Sequence, residues 1–232
     1  MWNIIPSNER HHQDFGWLDA RWHFSFGDYI DRNNISFGPL RVFNDDIVAP
    51  GGGFEPHPHQ NMEIVTYVLS GALAHEDSMG HREVIRPGEV QVMSAGTGVV
   101  HSEFNGSKEE PVRLLQLWII PRHKGAAPRW EQRGFLESNR TDRLLPVVSS
   151  GEEPGTLAID QDATIYVSKL TAGHVVTHAA APGRRLYLFV ATGAVTANGR
   201  EIAAGDQARI DNETTLDIQA VNDSEIILLD LP

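Results

Sequence analysis

Cysteine is absent from all 232 residues, which excludes disulfides and thiolate metal sites and leaves the redox compartment open. Runs of lysine and arginine are also missing. The chain sets 19 basic residues against 31 acidic ones for a net charge of −12, so its average field repels a nucleic-acid backbone. No stretch reaches the roughly eighteen apolar residues of a membrane span. The opening ten residues lack a basic start followed by an apolar run, so the expectation is a cytoplasmic chain that does not enter membranes. Turn formers, by contrast, are plentiful. With 21 glycines and 13 prolines beside 41% hydrophobic residues, the composition suits many short strands joined by tight turns. The length accommodates one large β domain or two of about 100–120 residues.

Two short stretches carry chemistry. In an extended strand alternate residues share a face, so His57 and His59 point the same way, and so do His101 and Glu103. Each pair follows a glycine turn: Gly51-Gly52-Gly53 before the first, Gly96-Thr97-Gly98 before the second. If the two strands are neighbours in a barrel with those faces inward, three imidazoles and one carboxylate converge on a metal site. Such a ligand set, without thiolate, suits iron, manganese, nickel, copper or zinc. Four protein ligands leave one or two coordination positions open, which points to chemistry rather than a structural ion.

Along the rest of the chain, Trp22, Phe24 and Phe26 alternate with His23 and Ser25 and read as a strand with one aromatic face. His23 is expected to be a hydrogen-bonded strand residue, His11 and His12 solvated, and His75 and His81 exposed around turns. Residues 63–69, 89–93 and 112–120 read as strands at the spacing of an antiparallel sandwich or barrel. On the last of these Gln116 is either a group that hydrogen-bonds a ligand or substrate, or an edge-facing polar residue. Residues 121–155 read as a proline-rich linker with a short helical turn near 129–135. Strand rhythm resumes from Thr164 and builds a second barrel. That barrel has His174 and His178 but no answering His-x-Glu, and is read as metal-free. The fold expected is all-β: two tandem jelly-roll-like barrels, with domains over 1–135 and 156–232 and a linker over 136–155.

The motifs resemble the cupin superfamily and, more specifically, the pirin family. The residues that carry the resemblance are His57-Pro58-His59, the stretch from Met62 to Gly71, His75-Glu76-Asp77-Ser78-Met79-Gly80, Ser94 to Gly98 and His101-Ser102-Glu103. It extends to Trp17-Leu18-Asp19, His23 to Phe26 and Pro128 to Arg133, dense over 1–135 and weak beyond. The resemblance implies a bicupin whose N-terminal barrel holds one divalent metal, iron foremost, on His57, His59, His101 and Glu103, with no metal in the second barrel. Glu63, a ligand in many cupins, becomes by strand parity a group behind the ligands. The implied activity is quercetin 2,3-dioxygenase-like: Glu103 accepts a proton from a flavonol, dioxygen adds, and the ring opens. The implied partners are a flavonol or similar aromatic and dioxygen, on a chain expected to be monomeric. The alternative is a non-enzymatic iron-binding regulator acting through protein partners.

Overall fold

The computed structural model describes residues Met1–Pro232 in two compact units. One comprises His11–Gly134 with Leu157–Gln161; the other comprises Met1–Arg10, Phe135–Thr156 and Asp162–Pro232. In chain order the strands begin with β1 (Trp2–Ile5), β2 (His11–Asp14), β3 (Leu18–Trp22), β4 (Leu40–Val48), β5 (Gly53–His59) and β6 (Glu63–Ser70). They continue with β7 (Leu73–Asp77), β8 (Arg82–Ile85), β9 (Glu89–Ser94), β10 (Val99–Asn105), β11 (Val112–Ile119) and β12 (Arg129–Gly134).

The first unit packs a seven-stranded sheet, in the order β12-β9-β6-β11-β4-β3-β2, against a four-stranded one, β5-β10-β7-β8. Its core draws on both sheets: Leu18, Trp22, Val48, Val68 and Leu114 from the larger, Leu73 and Ile85 from the smaller. Each such side chain, fully removed from water, contributes on the order of 1.5–3 kcal/mol. The β-branched run in β6 is buried along almost its whole length, as a central strand requires. By contrast β5 lies at a sheet edge, where Pro56 and Pro58 cost no ladder hydrogen bond on the open side.

The second unit repeats the construction. A single α-helical turn, α1 (Glu137–Arg140), leads into β13 (Leu145–Ser149); the two-residue β14 (Leu157–Ala158) belongs to the first unit. Then come β15 (Thr164–Leu170), β16 (Val175–Ala179), β17 (Arg185–Thr192), β18 (Ala194–Ala197), β19 (Arg200–Ala203), β20 (Gln207–Asp211), β21 (Thr215–Ala220) and β22 (Ser224–Leu231). One sheet runs β1-β20-β17-β22-β15-β13 and the other β16-β21-β18-β19. The core between them gathers Leu186, Leu188, Ile226 and Leu228 with Val195, Ile202, Leu216 and Ile218.

Several local expectations change in the folded chain. The first strand, expected with the N-terminal domain, pairs antiparallel with β20, Trp2 opposite Ile210 and Ile5 opposite Gln207. Residues 129–134 form a strand on β9 rather than a helical turn, because Val90, Val92 and Ser94 offer a free edge. The helical turn falls at 137–140 instead. The aromatic strand ends at Trp22. Beyond it, in a loop, the Ser25 N–H donates to the Asn34 carbonyl oxygen, and buried His23 stacks on Phe43 with ring centroids 4.7 Å apart. Nor is His11 solvated: it lies in β2 and stacks on Trp22 and Tyr29.

Candidate metal centre

Antiparallel pairing of β5 with β10 sets His57 directly opposite His101 and His59 opposite Val99. A β-bulge between His101 and Glu103 then shifts the register, so that Glu103 faces Phe54. On its other side β10 pairs with β7, with His101 opposite Asp77 and Glu103 opposite His75. Directly opposed residues share a face, so His57, His59, His75, Asp77, His101 and Glu103 all turn the same way.

The candidate ligand atoms of His57, His59 and His101 lie within 4.8 Å of one another. Ring centroids are 4.5 Å apart for His57 and His101 and 4.8 Å for His59 and His101. The Nε2 atoms of His59 and His101 are buried and have no hydrogen-bond partner. A buried ring nitrogen without a partner is costly, and a cation at the convergence point would satisfy both. Nδ1 of His57 lies 2.8 Å from the Glu55 carbonyl oxygen; it therefore donates, leaving Nε2 with a free lone pair. Burial, then His57 nearby, lowers the pKa of His59 to about 4. Burial with the neighbouring imidazoles lowers that of His101 to about 2. Both rings are thus neutral at neutral pH, the form that binds metal. The donor set fits a first-row divalent ion.

Glu103 is 2% exposed and stands beside this triad, grouped within 4.8 Å with His75 and His101 rather than with His57 and His59. The amide Nε2 of Gln116 donates to both of its oxygens, at 3.2 and 3.0 Å, and to Thr66 Oγ1 at 3.2 Å. Burial raises the Glu103 pKa to about 7 against the opposing hydrogen bonds from Gln116 and Thr66. Gln116 therefore faces inward. It belongs to a polar rung across four adjacent strands, Asn44–Gln116–Thr66–Gln91. Asn44 Oδ1, both amide atoms of Gln91 and Asp46 Oδ1 are buried without partners. Burial, with Asp45 and Glu103 nearby, pushes the Asp46 carboxyl well above the usual carboxylate range. Asp45 and Asp46 are adjacent on β4. Alternation splits them, sending Asp45 to a bidentate Arg113 contact on the opposite face and Asp46 inward.

Glu63 does not follow strand parity. The turn at 60–62, with Asn61 at φ 49°, separates β5 from β6, and the two strands lie in different sheets. Three residues from Thr66, Glu63 faces away from it and accepts from Ser94 Oγ at 2.5 Å, with Arg129 at 3.9 Å. His75 departs in the other direction: expected exposed, it is 2% exposed, Nε2 3.3 Å from Asp77 and Nδ1 3.5 Å from His101 Nδ1. Its i, i+2 spacing with Asp77 on a strand was the available signal. His81 is half-buried and bonds Asp77. Apolar and aromatic groups wall the site: Trp118 meets His59 edge-on at 4.8 Å and Phe26 at 5.2 Å, beside Met62, Met79 and Val99. In the second unit His178 Nε2 bonds Asp230 at 2.7 Å.

The family model described as Pirin matches residues 6–119, and that described as Quercetinase C-terminal cupin domain matches residues 146–231. A quercetin 2,3-dioxygenase of Escherichia coli K12 is 44% identical over 230 residues, covering 99% of this chain and 98% of the relative. A pirin-like protein of Caulobacter vibrioides is 42% identical over 218 residues, covering 94% of each. The crystal structure of the bacterial pirin YhhW from Escherichia coli in complex with nickel(II) superposes with a TM-score of 0.95 at 42% identity, covering 100% of this chain and 99% of that one. With two cupin domains of this construction, and identity at this level over its whole length, the chain belongs to the pirin family.

Proposed function

We propose that this chain is a metal-dependent dioxygenase that opens the central ring of a flavonol such as quercetin, with His57, His59, His101 and Glu103 as ligands of one divalent ion, iron foremost. The observation that carries the reading is the pair of buried, unpartnered Nε2 atoms on His59 and His101 beside the buried carboxyl of Glu103. The relatives named for quercetin cleavage and the nickel-bound neighbour support it. A bound divalent ion would supply Lewis-acid stabilisation of the substrate's vicinal hydroxyl and carbonyl oxygens.

The protein's own groups do the rest. The Glu103 carboxylate takes the proton of the flavonol 3-hydroxyl as a general base. Gln116 holds both Glu103 oxygens and so sets the direction from which the proton arrives. Trp118, Phe26 and the methionines offer flat apolar contact to an aromatic ring and keep bulk water from the electron-rich enolate. Dioxygen then adds across C2 and C4, and C3 leaves as carbon monoxide, giving a depside ester.

The test is oxygen consumption by metal-loaded protein with quercetin, read alongside loss of the flavonol's visible absorption. Stoichiometric uptake of oxygen with release of carbon monoxide is the expected result. No turnover of any flavonol by protein carrying a full equivalent of metal overturns it, and a metal-dependent protein partner in its place would establish the regulatory alternative.

A further inference from the structure

We infer that His75 is a positioning residue for the metal centre: its Nδ1 lone pair holds the proton of His101 on Nδ1, keeping His101 Nε2 bare and aimed at the ion. This rests on the reading of His101 as a ligand.

The argument starts at Asp77. Its Oδ1 accepts backbone N–H groups from Met79 at 2.9 Å and His81 at 3.1 Å, and Nδ1 of His81 reaches both carboxylate oxygens, Oδ2 at 2.9 Å. A carboxyl surrounded by so many donors is an anion and can only accept. His75 Nε2, 3.3 Å from Oδ2, must therefore be the donor. A neutral imidazole with its proton on Nε2 has a lone pair on Nδ1. That lone pair faces His101 Nδ1 at 3.5 Å, so the proton between the two rings belongs to His101. The opposite nitrogen of His101 is the buried Nε2 without a partner. Each tautomer is thus dictated by the next group outward, beginning at a carboxylate pinned by main-chain donors.

Packing holds the arrangement. The side chains of His75 and Asp77 are both fully buried, and the β7–β10 register fixes Asp77 opposite His101. Trp130 lies nearly parallel to His75, ring centroids 5.9 Å apart at 22°, and over His81 at 4.7 Å and 23°. Partners of this kind behind a ligating histidine raise its basicity and set its orientation, and losing one weakens metal binding about 10–100-fold.

The experiment pairs zinc affinity, by chelator competition, with histidine-selective 15N NMR of the metal-free and zinc-loaded protein. In the unaltered chain His101 should appear as the single Nδ1–H tautomer before zinc is added. His75→Leu should show mixed tautomers at His101 and bind zinc about 10–100-fold more weakly. His75→Asn, which returns an acceptor oxygen near the Nδ1 position, should recover most of the affinity. Should His75→Leu fail to fold, Asp77→Asn is read in the same way, since it frees the His75 tautomer and leaves the ring in place. A single unchanged tautomer and full affinity in these variants would overturn the inference, as would zinc-shifted nitrogens on His75 itself. If the unaltered protein binds no zinc, the proposed function falls, whereas the tautomers of the metal-free protein still decide the role of His75.

Discussion

Glu103 concentrates the proposed chemistry in one carboxyl. Burial raises its pKa to about 7 in the metal-free chain, while hydrogen bonds from Gln116 and Thr66 pull it back. Glu103→Gln keeps the three converging imidazoles but cannot take a proton. The variant is expected to retain metal by elemental analysis and to lose turnover by about a hundredfold or more, measured as oxygen uptake. Unchanged turnover would remove Glu103 from the mechanism. At this scale the sequence was informative about pairs and silent about depth. Alternation set His57 with His59 and His101 with Glu103; the structure keeps both pairs because the β5 bulge falls before His57 and β10 holds a continuous register against β7. His75, expected at an exposed turn, is buried instead, since the burial of a turn-proximal histidine depends on which strand lies beside it.

At the scale of elements, the close approach of β5 to β10 is the feature most exposed to mutation. A Cβ on Gly53 would collide with the Phe104 ring and come within 2.6 Å of the Glu103 carbonyl oxygen. Gly53→Ala should therefore lower stability by about 1–3 kcal/mol and reduce metal content, because the strand that moves carries His57 and His59. Thermal melting and elemental analysis check both. In the second unit the bond between β16 and β22, His178 to Asp230, is reinforced by Arg184 Nε to Asp230 Oδ1 at 2.5 Å. Burial raises the Asp230 pKa, but these hydrogen bonds outweigh it and hold the group below its ordinary 3.8. A depressed carboxylate stabilises the fold above its unfolded pKa, and that stabilisation disappears as pH falls through the folded value. Asp230→Asn is thus expected to cost about 3 kcal/mol at pH 7. In denaturant titrations the difference from the unaltered protein should vanish below the ordinary carboxylate range. A constant difference across pH would show that ionisation of Asp230 is not its source.

At the scale of the whole molecule, two strand-built units place one candidate metal centre in the first, and no helix is long and apolar enough to cross a membrane. An ion that binds only the folded chain stabilises it by about 2.7 kcal/mol at a hundredfold excess over its Kd. Adding zinc or nickel to stripped protein should raise Tm in a concentration-dependent way, and Glu103→Gln should keep part of that shift. The triple variant His57→Ala, His59→Ala, His101→Ala should abolish it. A full shift in the triple variant would place the ion elsewhere.

The all-β, two-unit construction was legible because strand periodicity and glycine turns are local signals, and so were the candidate ligand pairs, since alternation needs no knowledge of neighbours. Only tertiary structure decided which strands became neighbours. It sent the first strand to β20, turned Glu63 toward Ser94, drew Asn44 and Gln91 into a buried polar rung, and set His75 behind His101. Those outcomes depend on register between segments far apart in the chain. Register is settled by the packing of whole faces, which no short stretch of sequence contains.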